Sequence, residues 1–161
     1  MATLTVSVKE AITLNNIDYG SERSLDISSV NEVVKRVVTA STTECGLIGF
    51  ISALSGVGVT ANKVGYVAGI FDNGDVRYIR ITNLDSSNHI TLTFKDEDNT
   101  EFRMKVDAGH SFIYPGDNSG GVADTIKSAG SALASGIDNL TDITVDADTA
   151  ACDVEIFVGS A

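Results

Sequence analysis

The sequence contains few of the residues from which metal sites, disulfide frameworks and sugar-binding platforms are built. Its 161 residues include two Cys, two His, one Pro and no Trp. Cys45 and Cys152 lie far apart and form no CxxC motif, so a zinc site is not expected. A chain of this size can also fold without a disulfide. We therefore predict two free, half-buried thiols.

Positive charge is scarce as well. Lys and Arg together number 11 against 22 Asp and Glu, which gives a formal net charge of −11. The longest basic run is the pair Lys35-Arg36. Because binding to phosphates requires clustered Lys and Arg, this composition predicts neither nucleic acid nor an anionic membrane as a partner. An acidic surface favours solubility at high concentration or contact with a basic partner.

Long apolar runs are missing too. The longest apolar-rich stretch, GLIGFISALSGVGV, is interrupted by Gly and Ser and is too short to cross a bilayer. The N-terminal sequence MATLTVSVKEAITL has neither the basic nor the apolar region of a signal peptide. We therefore expect synthesis in the cytoplasm and no membrane partner.

The residues capable of acid–base chemistry do not form a recognisable constellation. His89 and His110 both lie in predicted turns, with no Cys, second His or Ser-containing elbow nearby, so solvated histidines are expected. Gly56-x-Gly58 lacks the Lys-Ser/Thr that follows in a phosphate-binding loop. We predict no catalytic and no cofactor-binding residue, and a protein that is not an enzyme. A pocket that joined either histidine to two carboxylates would change this prediction.

Acidic clusters occur at three places, and each is interpreted as turn or surface chemistry. The run at 96–101 lacks the Gly and Glu spacing of an EF-hand calcium loop. The turn at 72–75 has the composition of an ordinary β-turn. Asp142, Asp146 and Asp148 flank a predicted strand. No metal-binding residue is predicted from these clusters, and a weak divalent site at 96–101 is the alternative.

Alternation of apolar and polar residues predicts an all-β fold. Residues 3–8 alternate as a half-buried strand, and residues 75–116 read as a meander with turns about every 8–12 residues. Residues 32–40 fit a strand, although their valines also fit helical spacing. Residues 11–25 read as a short strand and a polar loop. Asn73-Gly74 predicts a two-residue type I′ hairpin.

Alternation also predicts which side chains face the core. We expect burial of the apolar positions of five strands. These are Ile79, Ile81, Ile90, Leu92, Phe94, Phe102, Met104, Val106, Ile143, Val145, Val154, Ile156 and Val158. The chain is expected to form a single antiparallel β-sandwich domain over 1–161. Within it, the Gly/Ser/Ala-rich segment 116–140 is expected to be a flexible loop, with a short helix over 124–134 as the alternative.

Aromatic residues number ten, six Phe and four Tyr. Tyr78, on the polar face of its strand beside Arg80, is the best candidate for a sugar-stacking residue. Packing across a strand pair is the competing and simpler interpretation.

The order of three segments resembles that of small structural proteins from tailed-phage virions. The segments are VRYIRITNLDSSNHITLTF, FRMKVDAGHSFIYP and DITVDADTAACDVEIFVGSA, and the resemblance covers residues 30–161. It implies a jelly-roll-like sandwich in a virion, synthesised in the host cytoplasm. It further implies a capsid decoration (cement) protein, commonly a trimer that bridges neighbouring capsid subunits. The resemblance carries fold signals and no active site.

These implications define the expected partners and the alternatives. The expected partners are the major capsid protein or other virion proteins, and further copies of the same chain in a homotrimer. Residues 1–25, as an N-terminal arm, and 116–140 are the segments expected to reach a neighbour, for example by strand addition. A tail or fibre component, and a carbohydrate-binding or receptor-binding module on the same fold, are the alternative functions.

Overall fold

The structure, a computed structural model, describes residues 2–51, 65–96, 101–114 and 140–161. These residues form thirteen β-strands and no helix, so the predicted all-β fold is confirmed. No helix able to cross a membrane is found among them. The strands are β1 Ala2–Glu10, β2 Thr13–Leu14, β3 Ile17–Asp18, β4 Ser21–Val30, β5 Glu32–Ala40, β6 Cys45–Ile51, β7 Gly69–Asp72, β8 Val76–Asn83, β9 Ile90–Asp96, β10 Glu101–Val106, β11 Ser111–Tyr114, β12 Leu140–Ala147 and β13 Cys152–Ser160.

Nine of the strands build two sheets that pack as a sandwich. The five-stranded sheet has the order β10-β9-β12-β6-β7, and the four-stranded sheet has the order β11-β8-β13-β5. The pairs are antiparallel except β6 with β7, which is parallel. The inner faces share one apolar core. Across it, the rings of Phe94 and Phe112, one from each sheet, lie 5.1 Å apart.

Alternation decides which side chains enter this core. Ile79 and Ile81 on β8 are buried, and so are the predicted apolar positions of β9, β12 and β13. The strand prediction for 32–40 is confirmed. On β5, Val34 and Val38 pack against the core, whereas Val33 and Val37 lie on the outer face. A strand produces this two-residue period and a helix does not.

One predicted core position is wrong. Met104 is 37% exposed, although Val106 on the same strand is buried and Phe102 packs against the core. The cause is the place of β10 at the edge of the five-stranded sheet. An edge strand lies at the rim of the core, where alternation no longer guarantees burial.

The turn at Asn73-Gly74 exists, but the predicted type I′ hairpin is wrong. Neither residue has a positive φ. The Asp75 N–H donates to the Asp72 carbonyl (3.1 Å), and the Gly74 N–H donates to the Asp72 carboxylate (3.0 Å). The strands on either side, β7 and β8, belong to different sheets. The turn therefore carries the chain from one sheet to the other. Type I′ geometry is favoured where a turn joins two paired strands, and the strands on either side of this turn are not paired.

The two glycines of β6 lie close to an aromatic ring. The ring of Tyr66 lies over Gly46 and Gly49, where an added Cβ would come within 2.9 Å and 3.0 Å of ring carbons. The register between β6 and β12 also shifts at Ile143/Thr144, as in a β-bulge. Glycine is therefore required here by the approach of an aromatic ring to the strand backbone.

The remaining four strands, β1 to β4, make a hairpin outside the two sheets. β1 pairs with β4 from Ala2↔Val30 to Glu10↔Ser21, and β2 pairs with β3 at its end. The prediction of a polar loop leading to residue 25 is therefore wrong, because β4 begins at Ser21. Asn15 and Asn16 both have positive φ (52° and 63°), as a type I′ turn requires.

Several sequence predictions lie outside the described residues. These are the loop or helix at 116–140, apart from Leu140, which begins β12, and the Gly56-x-Gly58 motif. Residues 97–100 of the acidic run also lie outside them.

Candidate functional site

The hairpin of residues 2–30, called the arm from here on, has one apolar and one polar face. Residues paired across an antiparallel ribbon lie on the same face. The pairs Leu4↔Ile27 and Val6↔Leu25 therefore share the apolar face. The polar face carries Thr5↔Asp26 and Ser7↔Ser24, with side-chain hydrogen bonds of 2.7 Å and 2.9 Å.

The base of the arm packs on the outer face of the four-stranded sheet. Ile27 and Val30 of the arm and Tyr78 of β8 form a second buried cluster. Leu4, Val6 and Phe157 pack against this cluster. The Asn31 N–H donates to the Ser160 carbonyl (2.8 Å) and joins the end of the arm to β13. The base is therefore part of the folded body, with a small apolar core of its own.

Tyr78 belongs to that core and is not an exposed sugar-stacking residue. Its ring meets the Phe157 ring edge-on, with centroids 5.8 Å apart and planes at 76°. Burial raises the pKa of the Tyr78 phenol above its ordinary value of 10.0. The structure thus favours the packing interpretation of Tyr78, and the residue that motivated the carbohydrate hypothesis is covered by the arm.

Burial decreases along the arm from its base to its tip. Ile27 is buried, Leu4 and Val6 are half-buried, and Leu25 and Val8 are exposed. The half-buried strand predicted at residues 3–8 is therefore half-buried only at its base.

The tip of the arm carries four large apolar side chains on one face. Leu14 pairs with Ile17, and the Tyr19 N–H donates to the Ile12 carbonyl (3.0 Å). Since alternate residues share a face, Ile12, Leu14, Ile17 and Tyr19 lie together. Their exposed fractions are between 54% and 59%. We call these four residues the tip patch.

The outer face of the four-stranded sheet provides a second exposed surface beside the base of the arm. A groove of about 380 Å³ runs between the arm and the sheet. Its floor includes Phe157 and Arg80, and its rim includes Ile113. Glu155 accepts from Arg80 at 2.6 Å and from Lys35 at 3.0 Å, so one carboxylate binds two basic residues on this face.

The two histidines make separate polar contacts. His89 Nδ1 lies 3.5 Å from a carboxylate oxygen of Asp148, and His110 is exposed with Nδ1 2.9 Å from the Ala108 carbonyl oxygen. Among the described residues, no cluster of three or more His, Cys, Asp or Glu is arranged to hold a metal ion.

Among the residues that the structure describes, several acidic residues of the three clusters take part in turns, hydrogen bonds and ion pairs. Asp146 accepts from Arg103 at 2.9 Å, and Asp72 caps the turn described above. Asp142 also has a partner, since a hydrogen bond to its carboxylate contributes to raising the Tyr66 pKa to about 12, where burial is the largest cause.

Both cysteines are free thiols, as predicted. Cys152 is buried and Cys45 is half-buried. Burial raises the pKa of the Cys152 thiol, and nearby Asp85 and Asp148 add to the effect. A raised pKa lowers the thiolate fraction at neutral pH, so Cys152 is a packing residue of low reactivity.

The tip patch is an exposed apolar surface that the sequence interpretation missed. A signal for it was present in ITLNNIDY, where apolar residues alternate on both sides of an Asn-Asn pair. Asn tolerates the left-handed conformation that a type I′ turn requires.

Comparisons of the chain with protein-family models, with curated proteins and with solved structures found no match.

Proposed function

We propose that this chain is a non-enzymatic structural protein of a virion. In this role it decorates the capsid, where it binds and stabilises neighbouring capsid subunits. The observation that carries the proposal is the arm, a two-stranded ribbon with an exposed apolar tip attached to a rigid sandwich. This geometry suits a protein that binds adjacent protein subunits.

The strand order supports a jelly roll, the fold that the resemblance implies. A jelly roll has eight strands in two sheets, formed by two Greek keys, and is common in viral capsid proteins. Numbered along the chain, its strands lie in the orders 1-8-3-6 and 2-7-4-5. When the short strand β7 is left out, the eight strands from β5 to β13 take the orders β5-β13-β8-β11 and β6-β12-β9-β10. Both orders agree with the jelly-roll pattern.

The energetics of the arm support a role in assembly. A two-stranded hairpin is at best marginally stable in water by itself. Full burial of a Val, Leu or Ile side chain stabilises by about 1.5–3 kcal/mol. The exposed apolar residues of the arm are Val8, Ile12, Leu14, Ile17, Tyr19 and Leu25. Covering their exposed halves would contribute roughly 5–9 kcal/mol before the cost of association. This gain is comparable to the cost of association, roughly 4–15 kcal/mol.

Quantitative mass spectrometry of purified particles tests the proposal. We expect the chain to co-purify with intact virions of the phage that encodes it, at hundreds of copies per particle. A handful of copies would place it in the tail or neck. Its absence from washed particles would refute a virion role.

A binding experiment tests the decoration role more directly. Purified chain is added to assembled capsids that lack it, and bound protein is measured after sedimentation. Saturation at a fixed ratio to the capsid protein, with a higher melting temperature of the particles, is expected. Failure to sediment with assembled capsids would exclude decoration.

A further inference from the structure

We propose that the tip patch of one copy docks on β5 of a second copy of this chain, across Val33 and Val37 on the outer face of the four-stranded sheet. The inference deepens the proposed function and rests on it for the biological setting of the contact. The contact itself is a property of the isolated protein and is tested separately.

The tip patch requires a covering surface. Its four apolar side chains are each more than half exposed. They stand on strands of two residues each, and within the part of the chain that the structure describes no sheet pairs with these strands beyond the hairpin itself. Contiguous exposed apolar groups on a soluble protein mark interaction sites.

β5 is the longest edge strand of the two large sheets in the described residues. The edges of these two sheets are β5 with nine residues, β10 with six, and β7 and β11 with four each. On its outer face, Val33 is 53% and Val37 is 57% exposed. A long edge strand with apolar side chains invites pairing with another chain unless something covers it.

Charge favours a second copy over a basic partner at this position. The chain carries a net charge of −11, so two copies repel each other over most of their surfaces. The tip patch contains no charged residue. Between Val33 and Val37, Lys35 lies 3.0 Å from Glu155, whose carboxylate also binds Arg80 at 2.6 Å. Neither surface presents an excess of negative charge, so an acidic chain can approach without a like-charge penalty.

The dimensions allow the contact between copies. With nine residues at about 3.3 Å each, β1 is about 30 Å long. The four strands of the smaller sheet are spaced by about 4.8 Å and span about 14 Å between the axes of the outer strands. The strand β1 is therefore longer than this sheet is wide. The two patches are different surfaces of one chain, so the contact is head-to-tail. Head-to-tail contacts close into a ring when the rotation permits, and the predicted trimer would have a mass of about 50 kDa, three times 16.8 kDa.

Disulfide trapping between variants that each carry one added cysteine tests the contact. Leu14→Cys and Val37→Cys proteins are purified separately, mixed, oxidised and run on a non-reducing gel. We expect a covalent dimer only in the mixture, since head-to-tail contact pairs Leu14 of one copy with Val37 of the other. Wild type controls for Cys45 and Cys152. Thr13→Cys mixed with Val37→Cys is the matched control, because Thr13 is exposed on the opposite face of the tip.

Two gel results would overturn the proposal. A dimer formed by Leu14→Cys alone would mean that tips meet tips. A Thr13→Cys mixture that crosslinks as efficiently as the Leu14→Cys mixture would mean that the tip meets β5 with no preferred face.

Light scattering coupled to size-exclusion chromatography gives an independent readout. Wild type and Thr13→Asp are expected at the trimer mass at micromolar concentration, and Leu14→Asp at the monomer mass. A monomeric wild type, or a Leu14→Asp protein of unchanged mass, would refute the inference. A monomer that still saturates capsids would leave the proposed function standing, whereas a crosslinked ring with no affinity for capsids would refute only the proposed function.

Discussion

Replacing Ile27 by Ala is expected to detach the arm while leaving the sandwich folded. Ile27 is 1% exposed and sits between the ribbon and the ring of Tyr78. Truncation of a buried Ile to Ala costs about 2–5 kcal/mol, depending on how well the site can collapse. Here one wall is a two-stranded ribbon that can shift, so a loss near the lower end, about 2–3 kcal/mol, is expected.

The loss should be local, because the buried cluster at the base is separate from the main core. Hydrogen exchange measured by mass spectrometry detects such local opening. Amides of β1 and β4 should exchange about 30-fold to 140-fold faster, since each 1.4 kcal/mol is a factor of ten. Amides of β8 and β13 within the sandwich should keep their protection.

Leu25→Ala is the matched control. Leu25 lies on the same strand and the same face, two residues from Ile27, but is 43% exposed. Its truncation should accelerate exchange by less than about tenfold, because less apolar surface is lost from contact. Equal acceleration by the two variants would contradict the gradient of burial along the arm. Loss of protection throughout the sandwich in Ile27→Ala would show that the arm is not a separate unit.

Two further predictions concern the five-stranded sheet. A hydrogen bond from Thr144, together with the nearby Lys95, lowers the pKa of Glu44 below its usual 4.5. The ionised Glu44 therefore stabilises the fold above pH 4.5, and this stabilisation is lost as pH falls through the lower pKa of the folded state. Urea unfolding at pH 6 and pH 3 should show it, and Glu44→Gln should reduce the difference. Gly49→Ala should destabilise by about 1–3 kcal/mol because its Cβ would press on the Tyr66 ring at 3.0 Å. Gly74→Ala, whose Cβ has ordinary contact at 3.4 Å, should cost less in the same thermal assay.

The core strands could be predicted from the sequence because the alternation of apolar and polar residues within a strand indicates which side chains are buried. In β9 the alternate residues Ile90, Leu92 and Phe94 are apolar and buried, and in β13 so are Val154, Ile156 and Val158. The same rule fails at Met104, where burial depends on which strand lies at the edge of the sheet. Edge position is a property of strand order, which alternation within one strand does not encode.

The arm illustrates a second limit of prediction from the sequence. Ser21, Glu22 and Arg23 read as a polar loop, yet they begin the long strand β4. A ribbon exposed on both faces needs few apolar residues, so its composition resembles that of a loop. At the Asn73-Gly74 pair, the turn itself could be predicted but its type could not. The turn was predictable from local chemistry, but the turn type depends on whether the flanking strands pair with each other, and they do not.

Salt dependence separates assembly between copies from binding to a basic partner. Each chain carries a net charge of −11, so bringing copies together costs electrostatic free energy that dissolved ions screen over a Debye length of about 10 Å at 0.1 M. If the uncharged tip patch drives assembly, the dissociation constant of the trimer should fall as NaCl rises from 50 mM to 500 mM. Attraction to a basic surface would weaken over the same range. Sedimentation equilibrium at three salt concentrations measures the trend, and a trimer that dissociates at high salt would mean that charge pairs, not the tip patch, hold it together.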